Sequence, residues 1–150
     1  MRKIVVLLYI LLFTLGTIRY VYALCVSVPT ANLRAGPGKE YPITWTVDKY
    51  MPFVKVGTSL DGEWYAVRDV DGDVHWIYKK LVTEKYRAAV IKEEGVNLRK
   101  GPGTNSPKSS LVSGGKYYTY KVLQTKGTWV NIMDPWGGIA WIHKKFLWIK

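Results

Sequence analysis

From residue 24 onward the chain sets apolar and polar residues in short alternating runs, with almost no stretch long enough for an amphipathic helix. The clearest run is GEWYAVRDV. A period of two places Trp64, Ala66 and Arg68 on one face and Tyr65, Val67 and Asp69 on the other. VDGD follows as a turn signal and VHWIYKKLV resumes a strand, so the pattern predicts a hairpin. A second hairpin reads GTWVNIMD, PWGG, IAWIHKKFL, with Pro135 in the connection, where a missing N–H does no harm. VSVPTANLR alternates more loosely.

The two hairpins belong to a longer repetition. NLRAGPG at 32–38 returns as NLRKGPG at 97–103, and a shift of 65 aligns residues 28–82 with 93–147 without a gap, 16 of 55 pairs being identical. Two copies make a tandem duplication, not a solenoid, so each unit must bury its own core. The division is 24–82 for the first unit, 83–87 for a link and 88–150 for the second. In the repeated phrase Leu33 and Leu98 point to one face of a strand, while Asn32, Arg34, Asn97 and Arg99 point to the other. Gly36-Pro37-Gly38 and Gly101-Pro102-Gly103 then reverse the chain, because proline presets φ and the flanking glycines tolerate positive φ. Many short strands in units of roughly 60 residues point to small β-barrels. A unit that small needs dense core material, and the paired Trp64/Trp129 and Trp76/Trp141 are expected to supply it, since each ring buries about 150–250 Å².

The first residues follow a different pattern. Arg2 and Lys3 precede an apolar run over Ile4 to Leu15, and Val21 with Ala23 provides small residues before a cleavage point, so 1–23 is expected to be a signal peptide. Arg19 ends the apolar run short of the ~20 residues that span a bilayer. Leu24 disfavours lipid attachment at Cys25, the single cysteine, which aligns with Val90 and is expected at a semi-buried strand position.

Removing 1–23 leaves 19 basic against 11 acidic side chains, net +8. Residues 24–82 balance at seven of each, whereas 88–150 hold ten basic and three acidic, net +7. A field that lopsided favours an anionic partner on the second unit.

NLRAGPGKEYP and NLRKGPGTNSP, each followed by Gly-x-Trp and then Trp-Ile, resemble the bacterial SH3-like (SH3b) domain over nearly all of the chain beyond residue 23, twice. The resemblance implies an all-β protein: two small SH3-like partly open barrels in tandem, preceded by a signal peptide and exported to the periplasm or outer envelope. It also implies a non-catalytic module that binds cell-wall peptide or glycan, or an envelope partner protein. With no hydrolase domain expected beside the two copies, any enzyme they target is expected to be another chain.

The inventory for chemistry is thin. His75 aligns with Ala140 and His143 with Tyr78, so neither histidine belongs to the repeated framework, and no nucleophile, base and orienter are expected. Two isolated histidines and a cysteine match no metal spacing, and Asp69, Asp71 and Asp73 miss the EF-hand pattern, so neither cofactor nor metal is expected. Export argues against nucleic acid, although basic patches with aromatics also occur in its binders. Binding is expected where the copies differ: Tyr117, Tyr118, Tyr120 and Trp136 with Lys100, Lys116, Lys121 and Lys126 replace Pro52, Phe53, Lys55, Asp71, Ala35, Met51, Val56 and Asp61. Rings among lysines suit a polymer with anionic groups and apolar faces.

Overall fold

The computed structural model describes residues 23–111 and 114–150. The expected leader lies outside the described residues except for Ala23, which opens the first strand. The architecture is all-β: two antiparallel sheets and two single-turn 3-10 helices, with no α-helix among the described residues. The first unit holds β1 (Ala23–Val26), β2 (Thr30–Arg34), β3 (Ile43–Asp48), β4 (Pro52–Thr58), β5 (Trp64–Arg68), β6 (Val74–Tyr78) and β7 (Val82–Thr83). They pair in the order β3-β2-β6-β5-β4-β1-β7. The second holds β8 (Ala88–Ile91), β9 (Thr119–Lys126), β10 (Trp129–Met133), β11 (Ile139–His143) and β12 (Leu147–Ile149), in the order β11-β10-β9-β8-β12. Neither sheet closes into a barrel.

The duplication is visible in the pairing. Cys25 faces Thr83 and Val26 faces Val82; Val90 faces Trp148 and Ile91 faces Leu147, the same register 65 residues on. Both hairpins form, and the invariant Asp and Gly in their turns have one explanation. Asp69 Oδ1 accepts from the backbone N–H of Asp71 at 3.0 Å and Asp73 at 2.9 Å, and Asp134 Oδ1 accepts from Trp136 at 2.9 Å and Gly138 at 2.8 Å. Gly72 and Gly137 close these turns at φ +95° and +94°, where a Cβ is disfavoured. The repeated arginine is a loop clamp: Arg34 Nη1 donates to the carbonyls of Lys39 and Tyr41, and Arg99 Nη1 to that of Ser106.

The gapless alignment is corrected in one place. Leu24 pairs with Phe53 in the first unit, but Ala89 pairs with Tyr120 in the second, so β9 sits at an offset of 67 rather than 65. Two extra residues before β9 are taken back in the turn after it, where only Gly127 and Thr128 separate β9 from β10. Tyr120 is therefore the counterpart of Phe53, Tyr118 of Met51 and Tyr117 of Tyr50. β2 and β3 also lack full counterparts. Among the described residues isolated bridges stand in their place, Val96 to Gly114 and Arg99 to Lys108 and Trp141. Ile43, Thr44 and Trp45 give way there to Lys108, Ser109 and Ser110, which pack poorly on a pleated surface.

The core corrects a second expectation. The first cluster is Leu33, Phe53, Val67, Ile77, Met51 and their neighbours, and the second is Leu98, Tyr120, Val130, Ile132, Ile142 and theirs. None of Trp64, Trp76, Trp129 and Trp141 belongs to either. Tyr65, Val67 and Ile77 share the inner face, so Trp64 and Trp76 stand on the opposite one; Trp64 is buried there, while Trp76, Trp129 and Trp141 are half-buried.

The two units pack together. AAVI in β8 is buried on both sides: Ala89 and Ile91 join the second core, Val90 joins the first, and Ala88 meets Cys25 and Tyr50 between them. Cys25 is 1% exposed with Sγ 3.7 Å from the carbonyls of Thr83 and Tyr86. It lies deeper than a semi-buried position. Burial pushes its thiol pKa up to about 11.

Candidate functional site

Five of the eight residues expected to bind ligand meet in one cleft of about 630 Å³: Lys116, Tyr117, Tyr118, Tyr120 and Trp136. Leu98, Ser110, Leu111, Asp134 and, from the first unit, Asp48 complete most of its wall. Lys100 and Lys126 are exposed elsewhere, and Lys121 lies 4.8 Å from the Tyr86 ring. The five are not alike. Tyr120 is 2% exposed and belongs to the core, where burial raises its pKa strongly. Tyr117 spans the seam: its Oη donates to Asp71 Oδ2 at 2.6 Å, and its ring meets Trp45 edge-on at 5.1 Å. Lys116 Nζ lies 3.5 Å from Asp71 Oδ1 and 4.6 Å from the Tyr117 ring, and the Tyr117 and Asp71 contacts hold its pKa up. Thr119 Oγ1 adds a bond to the Lys49 carbonyl at 2.7 Å. Trp136, 83% exposed, and Tyr118, 47% exposed, are the open rings.

A second kind of site escaped sequence reasoning. In the first unit Ala31, Asn32, Arg34, Lys39, Trp64 and Tyr78, with Thr30 and Leu81, line a groove of about 320 Å³. In the second, Val96, Asn97, Arg99, Thr104, Trp129 and His143, with Gly95 and Phe146, line one of about 240 Å³. Every position of the first groove recurs in the second 65 residues on. Asn, Arg and Trp are the identical members, whereas the sequence comparison places binding where the copies differ. The missed signal was polar identity, because a core does not need a repeated exposed asparagine.

A family model described as bacterial SH3 domain matches residues 27–84 and again 92–148. The chain belongs to this bacterial SH3 domain family. Solved structures resembling these SH3 units include an NlpC/P60 family protein from Bacillus cereus ATCC 10987, at 12% identity and TM-score 0.38, over 85% of this chain and 56% of that one. NlpC1 from Trichomonas vaginalis matches at 11% identity and TM-score 0.36, over 88% and 47%. The endolysin LysPBC5 CBD matches at 20% identity and TM-score 0.34, over 87% and 94%. The chain thus spans about half the length of the two NlpC-type structures. No curated protein matches.

The first SH3 unit carries one polar chain that resembles a catalytic relay. Asp69 Oδ2 lies 3.1 Å from His75 Nε2, and His75 Nδ1 lies 2.8 Å from Thr44 Oγ1. A carboxylate only accepts, so Nε2 carries a proton, and Nδ1 shares a hydrogen bond with the threonine hydroxyl. Asp69 is also the turn cap, and the chain runs from the turn into the edge strand β3. It ties β3 to the β5–β6 hairpin. Among the described residues no group of three or more His, Cys, Asp or Glu side chains could hold a metal ion.

Proposed function

We propose that this tandem SH3 chain is an exported, non-catalytic module of the cell envelope, and that both units engage cell-wall polymer through their equivalent grooves. The observation that carries this reading is the recurrence of one groove at every lining position, with Asn32/Asn97, Arg34/Arg99 and Trp64/Trp129 unchanged. Each groove sets an aromatic wall beside basic groups, Arg34 and Lys39 in one and Arg99 and Lys145 in the other. That combination suits a peptide segment carrying carboxylates. The net +7 of the second unit adds a general attraction for an anionic wall. Two sites on one chain raise avidity on a repeating polymer without any new contact.

The test is cosedimentation of residues 23–150 with purified sacculi. Retention that weakens as salt screens exposed charges over about 8 Å fits, and the double variant Asn32→Ala/Asn97→Ala, at exposed positions, should lower it. No retention even at low salt overturns the reading. A structural adaptor for a peptide of another envelope protein is the second reading. It is favoured by β3, which ends its sheet with Ile43 51% exposed and offers an edge for strand addition. Crosslinking to a protein partner without sacculus retention selects it.

A further inference from the structure

The cleft beside Trp136 is the space that the first unit fills with its own side chains. In that unit Trp45, at the position of Ser110 and opposite Leu33 in the ladder, packs against the core, with its ring 6.4 Å from His75. His75 in turn holds the second oxygen of Asp69. The second unit has Ser110 for Trp45 and Ala140 for His75, and Tyr118, the counterpart of buried Met51, is 47% exposed. Two consequences follow. The indole of Trp45 has no counterpart at Ser110, which borders a cleft of about 630 Å³ whose floor is the buried Leu98 and Tyr120. Asp134 keeps Oδ1 on the turn amides, but among the described residues Oδ2 has lost the histidine partner that Asp69 has.

We infer that this cleft is a saccharide-binding site, with Trp136 and Tyr118 as stacking faces and Asp134 and Asp48 as acceptors for sugar hydroxyls. The volume falls in the range of about 300–1,000 Å³ of small-molecule sites, and the wall is largely apolar with a few convergent polar groups. The charge balance selects the ligand class. Lys116, the cation of the cleft, is tied to Asp71, whereas Asp134 and Asp48 present carboxylates. Such a site repels an anionic polymer and suits an uncharged ligand rich in hydroxyl donors, with apolar C–H faces for the rings. A neutral hexosamine oligosaccharide has both. Indole and phenol rings are also rigid, so little rotamer freedom is lost on stacking. This site is distinct from the two grooves and rests on the reading of the chain as a wall-polymer module, to which it adds the glycan.

Titration of residues 23–150 with chitotetraose, a neutral N-acetylglucosamine oligomer, by calorimetry tests it. Saturable binding is expected, weakened about tenfold or more by Trp136→Ala, whose exposed ring leaves the fold intact. Ser110→Trp, which restores the first unit's cover, should abolish binding while thermal unfolding stays cooperative. Asn32→Ala/Asn97→Ala should leave chitotetraose binding unchanged. Absence of binding, or equal binding by native chain and Trp136→Ala, overturns the inference. Sacculus retention that is lost in the Asn double variant but intact in Trp136→Ala overturns the saccharide site alone and keeps the grooves.

Discussion

Tyr50 and Tyr117 are one residue of the repeat in two copies, both held at positive φ, +72° and +70°. Each donates its N–H at 2.9 Å to the carbonyl ending the preceding paired strand, Val26 or Ile91. Each also lies beneath the ammonium of the lysine before it, at 5.2 Å for Lys49 and 4.6 Å for Lys116. A β-carbon at such φ is disfavoured by about 1–2 kcal/mol, so the surroundings must hold these rings in place. They do so reciprocally. Tyr50 of the first unit packs on Ala88 and Tyr86, and Tyr117 of the second reaches Trp45 and Asp71.

Tyr117→Phe keeps the ring and removes the bond to Asp71. At a partly exposed site the expected loss is about 0.5–1.5 kcal/mol, read as a lower thermal midpoint. If the bond matters to the seam, Asp71→Ala in the Phe background should cost little more through that bond. Equal midpoints for native chain and Tyr117→Phe would show that the ring alone holds the seam.

Which parts of this were legible follows from what alternation encodes. A period of two says which residues share a face, so the hairpins and the positions of Trp64 and Val67 on opposite faces could be read. It does not say which face turns inward when both carry aromatics, and Tyr65/Val67 took the core in place of Trp64/Trp76. The two-residue slip in β9 was hidden because the sequence loses the same two residues in the next turn, which restores the register of the outer matches. Five cleft residues stand out as differences in the gapless alignment, but the two-residue slip makes Lys116 and Tyr117 the equivalents of Lys49 and Tyr50, leaving Tyr118, Tyr120 and Trp136 as true differences. The grooves, lined by identical Asn, Arg and Trp, do not show in such a comparison. The small residue Ser110 on the cleft wall takes on meaning only against Trp45 of the first unit, as the Oδ2 of Asp134 does against the His75 partner of Asp69.

The core correction makes a direct comparison possible. Ile142 is fully buried in the second cluster, so Ile142→Ala should cost about 2–5 kcal/mol. Trp129 is half-buried outside that cluster, and Trp129→Ala should cost less despite removing a larger side chain. Urea midpoints of the two variants decide the order. The reverse order would return the tryptophans to the core.

His75→Ala removes the partner of Asp69 Oδ2 while the turn amides stay on Oδ1. Asp69 is 4% exposed, so a buried carboxylate oxygen loses a hydrogen bond at a cost of about 1–3 kcal/mol. Amide exchange should rise first in β3, because Thr44 loses its hold on the hairpin as well. Unchanged protection of β3 would separate the polar chain from edge stability.

Cys25 gives a pH dependence with a definite sign. The thiol is neutral in the fold and its pKa is pushed up to about 11 from 9.0 by burial. The unfolded chain therefore loses its proton first as pH rises. Stability from this group is fully present below pH 9, declines from there, and is lost through about pH 11, a change on the order of 2 kcal/mol. Tyr86, raised to about 12 mainly by burial, extends the decline upward. Cys25→Val, which copies Val90 of the other unit, should flatten the thiol's part of the profile and stay folded at neutral pH, since it preserves an apolar group of similar size. Denaturant unfolding of both chains between pH 7 and pH 11 measures it. Parallel profiles would mean that the thiol reaches water in the native state, and rapid labelling of Cys25 by a thiol reagent at neutral pH would then accompany them.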